Sequence, residues 1–202
     1  TGDAVKTSPA VVDGIVYVGS DDGYVYALNA ANGALIWNYS TGGPVQSSPA
    51  VVDGVVYIGS LDHKIYALNA FNGALLWSYR TGDMVVSSPA VADGVVYVGS
   101  QDGKVYALNA ANGKQLWNYT TGAPVYSSPA VANNKVYVGC ANNNVYCLNA
   151  TTGVKIWNYT TRGEIPYSSP IISNGKIYIG SEDGNVYCLN ASSGEKIWNY
   201  TT

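Results

Sequence analysis

Few residues in this chain are equipped for chemistry. Its only histidine is His63, and its cysteines are Cys140, Cys147 and Cys188. A Ser-His-Asp or Cys-His device needs a histidine held beside a nucleophile. His63 stands where sister segments carry the turn glycines Gly23 and Gly103, so it reads as an exposed turn residue. The cysteines occupy positions filled elsewhere by Ser20, Ala27 and Ala107, which marks them as small packing residues. Three cannot all pair, and no CxxC or nearby histidine offers zinc spacing. Asp21-Asp22-Gly23 and Glu182-Asp183-Gly184 set adjacent carboxylates in loops, as calcium sites do, but the EF-hand spacing is absent and turn chemistry accounts for them. Asn-x-Ser/Thr triplets begin at Asn38, Asn118, Asn149, Asn158, Asn190 and Asn199. They are glycan acceptors in a secreted protein, and equally what one copied strand template yields. These residues predict no catalytic centre, no metal and no cofactor.

The elements that would position any site must come from 202 residues, enough for one domain spanning 1–202 with a substantial core. Apolar residues make up 47%, yet no run approaches the ~18 consecutive apolar residues a spanning helix needs, so no membrane insertion is expected. Charged residues are only 11% and the net charge is −3, which argues against nucleic acid as a partner. Neither end resembles a signal or transit peptide. Both ends fall inside a repeat, as in a piece of something longer.

That repeat is the dominant fact. Ser8-Pro9-Ala10-Val11 returns as Ser48-Pro49-Ala50-Val51, Ser88-Pro89-Ala90-Val91 and Ser128-Pro129-Ala130-Val131, then as Ser169-Pro170-Ile171-Ile172. Trp37, Trp77, Trp117, Trp157 and Trp198 keep the same beat. The copies are 1–40, 41–80, 81–120, 121–160 and 161–202, with one extra residue between Arg162 and Pro166. A period near 40 fits paired helices or a four-stranded blade. Asp13-Gly14, Asp22-Gly23 and Asn32-Gly33 punctuate the first copy; such pairs tolerate positive φ at both central turn positions and favour hairpins. Between them lie Ile15–Val18 and Val25–Leu28, β-branched and aromatic runs of strand length, flanked by Ser8–Val12 and Leu35–Tyr39. Each repeat is therefore a meander of four strands, A to D. Sheets apolar on both faces must stack, and strand twist bends the stack into a ring. The predicted fold is an all-β, five-bladed β-propeller.

The segment Ala27-Leu28-Asn29-Ala30-Ala31-Asn32-Gly33-Ala34-Leu35-Ile36-Trp37, with its four sister segments ending at Trp77, Trp117, Trp157 and Trp198, resembles the tryptophan-docking motif of quinoprotein dehydrogenases and other PQQ-like repeat propellers. The Ser-Ser-Pro and Val-Tyr-Val-Gly-Ser strands are similar to that family too. The resemblance implies that each tryptophan packs on the neighbouring blade. Family members that are enzymes have eight blades, long insertions, PQQ, calcium, a catalytic Asp and adjacent cysteines; here the insertions are lacking and Cys140 and Cys147 are not adjacent. Only the docking positions are carried over, and the name PQQ-like describes the repeat rather than a cofactor.

Positions that vary among the five copies point to a recognition face. Lys6, Gln46, Val86, Tyr126 and Tyr167 share one position at the start of strand A; Asp21, Leu61, Gln101, Ala141 and Glu182 share another in the B–C turn. Tyr24, Lys64, Lys104, Asn144 and Asn185 follow just beyond, and the D–A loops bring Asp3, Arg80, Asp83, Arg162 and Glu164. A meander collects all of them on one rim. The expectation is a non-enzymatic scaffold that holds a protein, peptide or glycan on this rim and in the central channel, in an extracellular or cell-envelope protein. A barrel-assembly lipoprotein of bacterial outer membranes, similar at the family level, is a precedent. The alternatives are a PQQ-binding oxidoreductase fragment and a purely structural or engineered array with no ligand. The last joint must close through side chains, chiefly Trp198 on the first blade. A monomer follows if it does and a homo-oligomer if it does not.

Overall fold

The computed structural model describes residues 1–202 and consists of strands and turns without a helix, so no helix is long and apolar enough to cross a membrane. The first blade comprises β1 (Ala10–Val12), β2 (Ile15–Gly19), β3 (Tyr24–Asn29) and β4 (Leu35–Ser40), paired antiparallel in chain order. Four more sheets of the same order lie within residues 50–80, 90–120, 130–160 and 171–201. The chain is a five-bladed β-propeller. First strands of successive blades approach one another and fourth strands do not, so the A strands line the axis and the D strands form the outer edge.

Turn chemistry sets the meander. At Asp13-Gly14 both residues have positive φ, 50° and 75°, as a two-residue mirror-image hairpin turn requires. The B–C loop differs from expectation: of Asp22 and Gly23 only the glycine has positive φ, because the Asp22 carboxylate turns back to accept the Tyr24 N–H at 3.0 Å. Strand A is also shorter than the Ser8–Val12 run predicts. Pro9 has no N–H to give, and ladder pairing starts only at Ala10. Ahead of it the Thr7 hydroxyl takes over, accepting from Gly19 N at 3.0 Å and donating to Gly19 O at 3.1 Å. Ser47, Ser87, Ser127 and Ser168 accept the corresponding glycine N–H in the other blades.

Apolar residues from facing sheets form four clusters, one at each joint between successive blades. At the joint of blades 3 and 4 the Trp117 indole N–H donates to Ala150 O at 2.8 Å, and Tyr97 OH donates to the same carbonyl at 3.2 Å. The indole lies against Gly153, where a side-chain Cβ would fall 2.7 Å from the ring. In return, Val125 of blade 4 fills the space over Gly99 of blade 3, where a Cβ would come within 2.4 Å of it. The same two fittings join blades 1 and 2 (Trp37 on Gly73, Val45 on Gly19), 2 and 3, and 4 and 5. Four tryptophans are thereby 7–9% exposed.

The fifth joint does not close. Trp198 is 42% exposed, its would-be seat Gly33 has open space above it, and no apolar cluster joins blade 5 to blade 1. The five blades form an arc. Closure is the sum of small rotations per blade, and these five rotations leave a gap.

Candidate functional site

The rim is held by backbone pairing between each D–A loop and the following B–C turn. Asp21 N donates to Ala4 O, Leu61 N to Pro44 O, Gln101 N to Met84 O, Ala141 N to Pro124 O and Glu182 N to Glu164 O, at 2.8–3.1 Å. Beneath each turn sits a hub. Asp22 Oδ2 accepts the Gly2 N–H at 2.6 Å and the Tyr26 hydroxyl at 2.7 Å. Asp183 does the same for Arg162 N and Tyr187. Partial burial works against ionisation of Asp183, yet hydrogen bonds from Tyr187, Asn185 and Arg162 N hold its pKa down at about 2. Burial and the Asp22 carboxylate push the Tyr26 phenol up to about 12. The acidic pairs thus divide their labour: Asp22 and Asp183 brace the fold, while Asp21 and Glu182 face the rim.

The structure brings the two variable sets together. Lys6 Nζ lies 2.6 Å from Asp21 Oδ2, and Gln46 Nε2 of the next blade donates to Asp21 Oδ1 at 2.9 Å. Those two donors lower the Asp21 pKa. Val86 lies between Gln46 and Tyr126 in blade order and is half-buried; Leu61 and Gln101 occupy the turns of blades 2 and 3. At the far end of the arc the Tyr126 and Tyr167 rings are 5.5 Å apart, tilted by 40°. Tyr167 is 75% exposed. It shares a cavity of about 270 Å³ with Glu164, Pro166, Gly180 and Glu182. Neither Glu164 nor Glu182 has a basic group within 4.0 Å.

Register locates the extra residue. Ile165 N donates to Cys140 O just as Val125 N donates to Ser100 O, and Ser168 matches Ser127, so the insertion is Pro166, next to Tyr167. His63 takes the left-handed φ of 71° that its glycine counterparts use, but its side chain is only 34% exposed and Nε2 lies 3.9 Å from Asp83 Oδ1. It is a half-covered turn residue rather than a fully exposed one, because Asp83 of the D–A loop stands over it. All three cysteines are free and buried. Burial pushes the Cys147 thiol up to about 12, and Cys140 Sγ donates to Ala123 O at 3.3 Å, as the replaced serines do. Asn149 and Asn190 use their side-chain oxygens to cap the C–D turns.

No group of three or more His, Cys, Asp or Glu side chains converges as metal ligands would. The residues present do not fit PQQ with calcium either: the cysteines are spent inside blades and the acidic residues beneath the turns are committed to backbone and tyrosine donors.

A family model described as the beta-propeller of beta-alanine-activating enzyme matches residues 1–202. The chain belongs to that propeller family. Among solved structures, this propeller is similar to BamB from Moraxella catarrhalis, with 20% identity and a TM-score of 0.86 over 98% of the chain and 65% of BamB. It is also similar to the quinohemoprotein alcohol dehydrogenase ADHIIG from Pseudomonas putida HK5 (22%, TM-score 0.84, 98% of this chain and 42% of that one). A third is the computationally designed Ika8 protein (19%, TM-score 0.83, 96% and 61%). The propeller thus spans less than two thirds of each, and likeness at this identity speaks for the fold. The PQQ-like character read from the repeats agrees with the family match and with these neighbours. No curated protein matches the chain.

The sequence reading overlooked three kinds of residue. The paired serines of Ser-Ser-Pro act as separate devices, one inside a blade and one between blades: Ser48 Oγ accepts the Ser8 N–H, and Ser128 Oγ that of Ser88, at 2.9–3.0 Å. The strand-B glycines are sockets. Pro166 sets Tyr167 apart from its four counterparts. The glycines were visible as invariance across copies, the hydroxyl pair as near-invariance (Thr7-Ser8 in the first copy, two serines in the others), and Pro166 as the broken period.

Proposed function

We propose that this propeller is a non-enzymatic interaction scaffold in an extracellular or envelope protein, holding a protein, peptide or glycan at the rim and inner channel. The observation that carries the reading is the Tyr126–Tyr167 pair. Strand cores repeat almost unchanged, yet at this inner position the copies run from Lys6 and Gln46 through Val86 to two tyrosines, one of them largely exposed. An exposed aromatic pair on a braced scaffold is a contact surface for sugar rings or for apolar and cationic side chains. The unpaired carboxylates of Glu164 and Glu182 beside Tyr167 favour a group that carries positive charge. At the opposite end of the row Lys6 and Asp21 neutralise one another.

The matched family's description names an enzyme together with its propeller. In such a protein these blades supply a docking platform, since nothing on the rim pairs a nucleophile with a base. Neighbours that are dehydrogenases and a neighbour such as BamB share the same arc, so the site rather than the fold decides.

The test is a peptide and glycan array read with the wild type and with the Tyr126→Ser, Tyr167→Ser double variant. The wild type retains ligands and the double variant loses them at an unchanged melting temperature. A double variant that keeps the same ligands refutes the reading, and so does a thermal shift with bound-chromophore absorbance on adding PQQ and calcium.

A further inference from the structure

Between blades 4 and 5, away from the tyrosine pair at the axis, the joint carries a polar groove of about 250 Å³. Trp157 on Gly194 seals this joint, so both walls of the groove belong to closed structure. Blade 4 contributes Arg162, just past the end of its last strand, and blade 5 contributes Asn185, Lys196, Asn199 and Thr201. Hydrogen bonds on the blade-5 wall run in one direction. Asn185 Oδ1 accepts from Asn199 Nδ2 at 2.9 Å and from Thr201 Oγ1 at 2.7 Å, and Asn199 Oδ1 accepts from Lys196 Nζ at 3.0 Å. Asn185 Nδ2 is spent on Asp183. The side-chain amide oxygens are therefore taken. Two ammonium N–H groups of Lys196, one amide N–H of Asn199 and the Arg162 guanidinium are left with no partner in the chain. Neither cation has a carboxylate within 4.0 Å. Asp183 gives its carboxylate to Arg162 N, Asn185 and the Tyr187 hydroxyl.

The joint between blades 3 and 4 holds the same wiring without the guanidinium. Lys155 Nζ donates to Asn158 Oδ1 at 3.0 Å, and Asn158 Nδ2 and Thr160 Oγ1 donate to Asn144 Oδ1 at 2.9 and 2.7 Å. The rim end is what differs. Gly2, Gly42, Gly82 and Gly122 stand where blade 5's loop has Arg162, so one copy in five has exchanged that glycine for a cation. The loop survives the exchange: Arg162 N donates to Asp183 Oδ2 as Gly42 N and Gly82 N donate to Asp62 and Asp102.

We propose that this groove binds a tetrahedral oxyanion, the phosphate or sulfate group of a small ester, between Arg162 and Lys196. With the wall's acceptors used up and its charged donors free, the complement is a group rich in acceptors and negative in charge. A neutral sugar needs acceptors for its hydroxyl protons, and the amide oxygens that would serve are already occupied. The guanidinium offers a planar fork of N–H groups from one wall, and the ammonium adds a point charge from the other. A tetrahedral group turns oxygens toward both walls at once, which a planar carboxylate does not. The site is independent of the contact surface at Tyr126 and Tyr167, and either can fail without the other.

The experiment is an NMR titration of the full chain with inorganic phosphate, then with sulfate, against sodium chloride of matched ionic strength. The Arg162 Nε–H and Asn199 side-chain amide signals shift saturably, with half-saturation at or below about 5 mM, while the Asn158 amide of the sister network stays in place. Arg162 and Lys196 are exposed, so Arg162→Gly and Lys196→Gln keep the wild-type melting curve. Each variant weakens binding by about tenfold or more. Signals that move no further with phosphate or sulfate than with chloride overturn the proposal. So does an Arg162→Gly variant that binds as the wild type does, or an equal shift at Asn158, where no guanidinium stands.

Discussion

Trp117 and Trp198 come from the same sequence template and meet different fates. Trp117 gives its N–H to Ala150 across a closed joint and is 8% exposed. Trp198 packs only on its own blade, 5.9 Å from the Tyr178 ring, with nearly half its surface in water. The strands beneath both are paired alike, Ala107 opposite Trp117 and Cys188 opposite Trp198. The sheet therefore forms without the joint, and the joint rather than the sheet is where the core is made. Stability in such a stack is a sum over neighbours, with the terminal units short of one partner each.

Substitution should expose this difference most strongly at the indoles. Trp117→Ala empties a filled seat and should lower stability by about 3–5 kcal/mol in denaturant melts, whereas Trp198→Ala should lower that of the single chain by no more than about 1 kcal/mol. Equal losses would mean that indoles act within blades and not between them. A smaller contrast is expected at the sockets. Gly99→Ala drives a methyl group into Val125 and its carbonyl, at a cost of about 1–3 kcal/mol. Gly180→Ala meets only the Ser168 side chain, at an ordinary contact distance of 3.4 Å, and should be neutral to within about 0.5 kcal/mol.

Much of this was legible from period and chemistry. Asp13-Gly14 and its counterparts announce the hairpins, and five tryptophans on one beat announce the joints. Other features were hidden because they depend on what lies opposite. Register slips between Ala27 and Leu28, where a bulge rotates Leu35 and Ile36 outward and only Trp37 inward; the apolar run Leu35-Ile36-Trp37 gives no hint of that division. Whether the ring shuts was hidden for a deeper reason. Curvature is a collective quantity, built from slight rotations at each joint, and no single residue encodes it. On the rim, variation between copies singled out the positions of Tyr126 and Tyr167, whose rings lie 5.5 Å apart. It did not show that Asp21 and Asp22 have separate tasks, since a carboxylate beneath a turn and one above it look alike in sequence.

The most direct test of the open joint is acrylamide quenching of tryptophan fluorescence. Quenchable emission should come from Trp198 alone: Trp198→Phe should abolish it and Trp117→Phe should leave it in place. Quenching that survives Trp198→Phe, or that disappears with Trp117→Phe, would contradict an arc with four sealed joints and one open.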